Sequence, residues 1–154
     1  MFPVKEILCP TDFSEPAQHA LKAAVELARR FDAELLLLNV VDPLPMMHAP
    51  MEASSFDFES FEKERIDGAT TRLTRLIGSE IPEGLRVRPL VVSGNVPSQI
   101  VRIADEYHAD LIVIATHGWT GWRRLLFGSV AERVMRTAHC PVCIIHQPRP
   151  GAAD

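Results

Sequence analysis

Two short segments of the sequence carry residue types suited to phosphate chemistry. The first is residues 10–14, Pro-Thr-Asp-Phe-Ser, and the second runs from 116 to 129. In the second, Gly118 and Gly128 would let main-chain N–H groups approach an anion unobstructed by a side chain. Gly128 and Ser129 precede a predicted helix, whose N-terminal dipole favours a phosphate group. The spacing equally allows a simpler interpretation, in which the glycines only turn the chain and Ser129 only caps its helix.

Asp12 directly follows the first predicted strand and has two competing interpretations. Its carboxylate could accept a hydrogen bond from an adenine amino group or help to hold a metal ion. It could also form an Asx turn or help to cap the next helix. His117 is a candidate general base in phosphate chemistry, although its main chain is expected to matter more. The sequence lacks G-x-x-x-x-G-K-[ST], and it lacks G-x-G-x-x-G after its first strand, so neither a P-loop nor a standard dinucleotide fingerprint is predicted.

The elements that must position these residues alternate along the chain. Five short apolar runs, predicted to be strands, are separated by four amphipathic, helix-like segments. This order predicts an α/β fold with an open parallel sheet and helices on both faces, in which ligands bind past the carboxyl ends of the strands. A length of 154 residues favours one domain, expected over 1–147 with a short tail at 148–154. The predicted strands are 7–10, 34–41, 85–92, 110–115 and 142–146.

The helical segments have recognisable start signals. Ser14 is the predicted N-cap of the first helix, and Pro16 suits its first turn. The second helix is expected over 58–78. The motif Ser129-x-x-Glu132 predicts a capping box at the start of the fourth helix. The first helix is expected to bury one apolar stripe, formed by Ala17, Ala20, Leu21, Ala24, Val25 and Ala28.

Composition excludes several classes of protein. Hydrophobic residues make up 47% and charged residues 23%, which is typical of a globular domain. A net charge of −4 argues against general nucleic-acid binding, and no apolar run approaches the ~20 residues of a membrane span. Three cysteines, an odd number, predict a reduced, cytoplasmic setting. The C-x-x-C motif at Cys140 and Cys143 leads into a strand, which favours packing over redox or zinc chemistry.

Four stretches resemble the universal stress protein family, in the same order and over roughly residues 5–146. They are 7–15 (ILCPTDFSE), 110–118 (DLIVIATHG), 124–133 (RLLFGSVAER) and 140–145 (CPVCII). The resemblance implies a Rossmann-like sheet in the order 3-2-1-4-5. It also implies a homodimer that pairs the last strands. One branch of the family binds ATP and another does not.

The ATP-binding branch carries the pattern G-x2-G-x9-G-[ST]. Gly128-Ser129 matches its end and Gly118 its middle, whereas Ala115 stands at the first glycine position. We expect Ala115 to have ordinary strand dihedrals that tolerate a methyl group. Trp119 replaces a residue that is often basic in the family. The resemblance implies a nucleotide site formed by Pro10, Thr11, Asp12, Val40, Ala115, Thr116, His117, Gly118, Gly128, Ser129 and Val130.

The function implied by the resemblance is a dimeric stress-response module that binds ATP, or AMP or ADP, past strands one and four. Mg²⁺ is expected with a triphosphate, since this cation bridges phosphate oxygens, and a protein partner is possible. One alternative is an interaction scaffold of the same fold without nucleotide, which Ala115 and Trp119 motivate. A slow ATPase using His117 and Asp12 is the other, although the sequence favours binding over catalysis.

Overall fold

A computed structural model describes residues 3–43, 57–116 and 128–146 of the protein. Within these residues nine elements alternate, and their five strands form one parallel sheet in the order β3-β2-β1-β4-β5. This order confirms the sequence prediction. The elements are β1 (Glu6–Pro10), α1 (Glu15–Phe31), β2 (Glu34–Val41), α2 (Phe58–Glu80), β3 (Val87–Ser93), α3 (Val96–Glu106), β4 (Leu111–Ala115), α4 (Ser129–Thr137) and β5 (Val142–Ile145).

Continuous apolar runs form the inner strands because both faces of the sheet are covered by helices. Alternate residues of β2 divide between two cores. Leu35 and Leu37 pack with α1 and with Leu73 of α2. Leu36 and Leu38 pack on the other face with α3 and α4. The prediction of helices on both faces is therefore confirmed.

Helix α1 follows its sequence signals closely. The six predicted stripe residues are all buried. Ser14 is the N-cap, and its hydroxyl oxygen accepts a hydrogen bond from the N–H of Ala17 at 3.3 Å. The first turn of α1 lies beside the end of β1, so the Ser14 cap also holds the loop that contains Asp12.

We expect Ser14→Ala to lower the free energy of unfolding by about 1 kcal/mol, because an N-cap hydroxyl replaces a missing main-chain partner. Chemical denaturation monitored by circular dichroism measures this change. Ser79→Ala, at the exposed carboxyl end of α2, is a matched control and should change stability by less than about 0.5 kcal/mol. Equal effects of the two substitutions would contradict the assigned role of Ser14.

The structure corrects the capping-box prediction for α4. Gly128 is the N-cap, Ser129 is the first helical residue, and no side chain among the described residues caps this helix. The reason is that the carbonyl of Gly128 already accepts the N–H of Glu132 at 2.9 Å. The helix therefore begins one residue before the position that the Ser129-x-x-Glu132 motif requires.

Other boundaries differ modestly from the sequence prediction. Strand β3 begins at Val87, two residues later than expected, and α2 extends to Glu80. Ala69 and Leu73 are the buried residues of α2. No described helix combines the length and apolar character needed to span a bilayer.

Acidic side chains gather at the amino end of the sheet, opposite the predicted ligand side. Asp110 accepts hydrogen bonds from the N–H groups of Lys5 and Glu6 at 2.7 and 3.0 Å. Among the described residues, the enclosed Oε2 of Glu6 has no hydrogen-bond partner. Burial, followed by the neighbouring carboxylate of Glu34, raises the pKa of Glu6, although Arg88 opposes the shift.

We expect Glu6→Gln to stabilise the protein at neutral pH. A raised pKa means that the Glu6 contribution to stability is greatest below its ordinary value of 4.5 and is lost as pH rises through the higher, folded-state value. The gain should stay below about 1 kcal/mol, because the side chain is only partly shielded from solvent. Thermal unfolding from pH 3.5 to 7.5 tests this: the wild-type and variant curves should converge at low pH. A variant that is less stable at pH 7.5 would contradict the expectation.

Candidate functional site

The cavity of interest lies where the strand order of the sheet reverses. From β1 the chain proceeds to β2 on one side, and β4 pairs with β1 on the other side. The loops that follow β1 and β4 therefore diverge and leave a crevice at the carboxyl ends of the strands. A cavity of about 370 Å³ occupies this crevice. Small-molecule sites typically measure ~300–1,000 Å³.

The structure brings most of the predicted site residues together around this cavity. Two of the predicted residues, His117 and Gly118, lie outside the described residues, as do Trp119 and the 44–56 segment. Asp42 and Val96 also line the cavity but were not singled out from the sequence. The predicted residues that line it are Pro10, Thr11, Asp12, Val40, Ala115, Thr116, Gly128, Ser129 and Val130.

The loop after β1 is fixed by hydrogen bonds that converge on Thr11, which is 5% exposed. Its N–H donates to the carbonyl of Leu38 at 2.8 Å. Its carbonyl accepts from the Asn39 side-chain amide at 2.8 Å, and its hydroxyl oxygen accepts from the N–H of Phe13 at 3.1 Å. Thr11 therefore holds the loop in place, and it reaches the cavity from within the protein.

Asp12 stabilises the turn that precedes the N-cap Ser14, which is one of the roles that the sequence left open. Its Oδ1 accepts hydrogen bonds from the N–H of Ser14 at 3.0 Å and from the Ser14 hydroxyl at 2.5 Å, which forms an Asx turn. The residue is nevertheless exposed and lines the cavity. These contacts fix the direction of the Asp12 carboxylate at the entrance to the crevice.

Val40 presents main-chain groups to the crevice. The carbonyl of Leu38 faces β1, since it accepts the N–H of Thr11. Main-chain groups of residues two apart in a strand point to the same side. The N–H and C=O of Val40 therefore face the β1 side of β2, just past Pro10, where β1 ends. The Val40 N–H, a donor, and the Val40 C=O, an acceptor, therefore lie side by side and point toward the crevice.

Ala115 has the ordinary strand geometry expected for it. It is the last residue of β4, pairs with Ile145, and is absent from the described residues with positive φ. Its strand neighbour two residues earlier, Val113, packs on the α1 side of the sheet, so the Ala115 methyl group points to that side as well. The main chain of Ala115 can therefore border the crevice without its methyl group filling it.

Thr116 joins the end of β4 to the start of α4. It is 3% exposed, and its N–H donates to the carbonyl of Ile145 at 3.0 Å. Its carbonyl accepts the N–H of Gly128 at 2.5 Å. The Gly128 N–H is thus engaged inside the protein. The main-chain donors of α4 that lack an intrahelical partner are those of Ser129, Val130 and Ala131.

Helix α4 differs from the other described helices at its N-terminus. Side-chain oxygens of Ser14, Asp57 and Asn95 cap α1, α2 and α3 respectively. Gly128 at the N-cap of α4 offers no such oxygen. Ser129, Val130 and Ala131, which form the first turn of α4, all line the cavity. The helix therefore directs its uncapped, positively polarised end into the crevice.

The family model described as the universal stress protein family matches residues 3–146 of this chain. The chain belongs to the universal stress protein family. Universal stress protein MJ0531 of Methanocaldococcus jannaschii is 37% identical over 145 residues, which cover 94% of this chain and 84% of that protein. The sequence resemblance is thereby confirmed.

Solved structures of similar proteins share the fold. The structure of MJ0577, a second Methanocaldococcus jannaschii protein, has a TM-score of 0.82 and 27% identity, and the match covers 97% of this chain and 100% of that one. A universal stress protein from Archaeoglobus fulgidus was solved in complex with dAMP. It has a TM-score of 0.55 and 26% identity, and the match covers 94% of this chain and 99% of that one.

The chemistry of the cavity combines apolar walls with polar groups at its rim. Leu38, Ile100 and Ile114 supply apolar surface, which suits a flat ring. The lining also contains Asp12 and Asp42, and carboxylate oxygens are ligands that Mg²⁺ prefers. This family member thus has an apolar wall, paired main-chain groups on β2 and helix amides around one crevice.

The cysteines lie in a different chemical setting. Cys140 and Cys143 pack against cores on opposite faces of the sheet, as the strand prediction required. Burial raises the pKa of the Cys140 thiol, and it raises that of the fully buried Cys9 to about 12. These shifts disfavour reactive thiolates. Within the described ranges, no group of three or more His, Cys, Asp or Glu side chains is arranged to hold a metal ion.

Proposed function

We propose that this universal stress protein binds an adenine nucleotide, ATP or its AMP and ADP analogues, in the crevice between β1 and β4. In this proposal the protein acts as a homodimeric binding and regulatory module of a stress response. Binding is the central activity, and the nucleotide would alter the conformation or the choice of partner. The proposal also assigns the protein to the cytoplasm, where its three free cysteines would remain reduced.

The uncapped N-terminus of α4 is the observation that carries the proposal. Three residues whose main-chain N–H groups lack intrahelical partners line the cavity, and a phosphate group is the ligand that such an arrangement favours. Side chains cap the other described helices, so α4 is exceptional at the place where the family resemblance expects phosphates. The Archaeoglobus fulgidus complex with dAMP supports the same class of ligand.

The adenine ring would lie against the apolar wall formed by Leu38, Ile100 and Ile114. Its amino group and the adjacent ring nitrogen are a donor and an acceptor side by side. The C=O and N–H of Val40 form the complementary pair at the edge of β2. This arrangement favours adenine over guanine, since guanine carries a carbonyl where adenine carries the amino group.

Magnesium would accompany a di- or triphosphate. Asp12 and Asp42 line the cavity, and carboxylate oxygens fit the preference of Mg²⁺. When bound, the ion would neutralise part of the phosphate charge, which two nearby carboxylates would otherwise repel. We therefore expect Mg²⁺ to matter more for ATP than for AMP.

Isothermal titration calorimetry with ATP, AMP and GTP, each with and without Mg²⁺, tests the proposal. Binding of the adenine nucleotides and at least tenfold weaker binding of GTP would support it. No binding of any adenine nucleotide at millimolar concentration would exclude it and would leave the interaction scaffold as the function. Mass spectrometry of small molecules released on denaturation provides an independent test, because a nucleotide retained through purification argues against the scaffold.

A further inference from the structure

Phe13 has an unusual backbone conformation for a bulky residue. Its φ is +65°, in the left-handed region that non-glycine residues rarely adopt. Such strain persists only where the surrounding structure compensates for it, and it clusters at functional sites. Phe13 lies immediately after Asp12, in the loop that borders the cavity.

The strained residue is enclosed by hydrogen bonds of the same loop. The N–H of Phe13 donates to Thr11 Oγ1 at 3.1 Å, and the next N–H, of Ser14, donates to Asp12 Oδ1 at 3.0 Å. The second bond depends on the left-handed turn at Phe13, because the φ and ψ of Phe13 set the direction of the Ser14 N–H, and the first bond closes the same short loop. A change of conformation at Phe13 would therefore move the Asp12 carboxylate.

A contact from a distant helix holds the Phe13 ring. The guanidinium carbon of Arg72, on α2, lies 4.2 Å from the centroid of the ring. This separation is within the range of a cation–π interaction. Phe13 also packs against the core shared by α1 and α2. The ring is thus fixed between the apolar core and a cation.

We propose that Arg72 is a positioning residue for the ligand site, acting through Phe13. The stack of Arg72 on Phe13 maintains the left-handed turn, and this conformation orients Asp12 at the entrance to the crevice. This role deepens the proposed nucleotide-binding function and rests on it for its biological meaning. The stack and the turn do not require nucleotide, so their effect on Asp12 can be tested on the nucleotide-free protein.

Hydrogen exchange of the Phe13 and Ser14 amides, measured by NMR on nucleotide-free protein, provides that test. Arg72→Ala should accelerate exchange of both amides by about two- to fivefold, the factor that corresponds to loss of an exposed cation–π contact. Arg72→Lys, which keeps a cation, should restore part of the protection. The control is Arg75→Ala, an exposed arginine one turn further along α2, and it should leave both amides unchanged.

A double substitution separates this role from general stabilisation. Glycine adopts positive φ without strain, so Phe13→Gly keeps the turn accessible without the ring. On this background, Arg72→Ala should have no further effect on the Ser14 amide, because its route of action has been removed. Additive effects of Arg72→Ala and Phe13→Gly would overturn the proposal. Amide exchange rates in Arg72→Ala that equal those in the wild type or in Arg75→Ala would also overturn it.

Nucleotide affinity completes the test and keeps the two proposals distinct. If the wild type binds ATP, Arg72→Ala should weaken binding by about two- to fivefold, whereas Arg75→Ala should not. If affinity is unchanged while the amides are deprotected, the stack holds the loop but does not serve the ligand, and the proposed role fails. If the wild type binds no nucleotide, the proposed function fails, and the exchange experiment still decides whether Arg72 positions Asp12.

Discussion

Gly128→Asp should reduce ATP affinity at least about 100-fold and leave the protein at least as stable as the wild type. Gly128 has φ −68° and ψ 152°, which are ordinary dihedrals for an N-cap residue of any type. An aspartate there would place its own carboxylate on the free N–H groups of the first turn of α4. It would cap the helix, satisfy the dipole and compete with a phosphate for the same donors.

The magnitude follows from two losses that act together. The phosphate loses charge-assisted hydrogen bonds, each contributing roughly 1.5–3 kcal/mol, and it meets a negative charge in their place. A factor of 100 requires about 2.7 kcal/mol. Calorimetry should show that adenosine, which lacks phosphate, keeps most of its affinity. That contrast distinguishes a blocked phosphate position from a collapsed site.

The matched control for Gly128→Asp is Gly68→Asp. Gly68 lies on α2, and a Cβ atom built there meets none of the described atoms beyond the adjacent backbone of its own helix within 4 Å. This variant adds the same charge away from the crevice and should bind ATP as the wild type does. If both variants bind ATP normally, the N-terminus of α4 does not hold the phosphates. If both lose affinity equally, net charge explains the loss.

The elements that the sequence predicted well are those in which one physical signal dominates. The stripe of α1 lies at strict helical spacing, and Ser14 and Pro16 mark its start, so the predicted residues are buried without exception. Strand β2 is apolar throughout because it is covered on both faces, and its predicted bounds match those of the structure. The order of the strands came from the family resemblance, since periodicity carries no information on neighbours.

Predictions failed where two signals competed for adjacent residues. Ser129-x-x-Glu132 is a valid capping box, but Gly128 occupies the N-cap because its carbonyl already closes the first helical turn. Val96 and Asp42 join the cavity through tertiary packing of α3 and β2, which local spacing does not encode. The left-handed turn at Phe13 was also hidden, because a bulky residue is the type that least predicts positive φ.

The two edges of the sheet differ in their ability to pair with another chain. At one edge, the N–H of Leu35 donates to the carbonyl of Arg86, so the intervening positions of β3, including Pro89, face outward. Proline has no N–H, and its presence on an edge strand blocks pairing. At the other edge, β5 has a strand partner on one side only within the described residues, and all four of its residues are half-buried. The homodimer implied by the family resemblance would therefore form at β5.

Ile144→Pro should convert the proposed homodimer to a monomer. The carbonyls of Pro141 and Ile145 face β4, so the main-chain groups of Val142 and Ile144 face the open edge. Pairing β5 with its copy about a two-fold axis would use these groups to join the two sheets. Proline at 144 removes one outward N–H donor and places a ring in the path of the partner strand. We therefore expect the dissociation constant of the dimer to rise at least about 100-fold.

Sedimentation equilibrium of Ile144→Pro and Pro89→Val decides between the edges, with circular dichroism to verify that both variants fold. Pro89→Val restores an outward donor on β3 and should leave the oligomeric state unchanged. The inward-facing N–H groups of β5 are untouched by Ile144→Pro, so the pairing of β5 with β4 should survive, just as β3 accommodates Pro89 in its pairing with β2. An Ile144→Pro variant that folds and remains dimeric would place the interface elsewhere on the molecule. Without the outward N–H of residue 144, β5 cannot pair with its copy as the intact strand would.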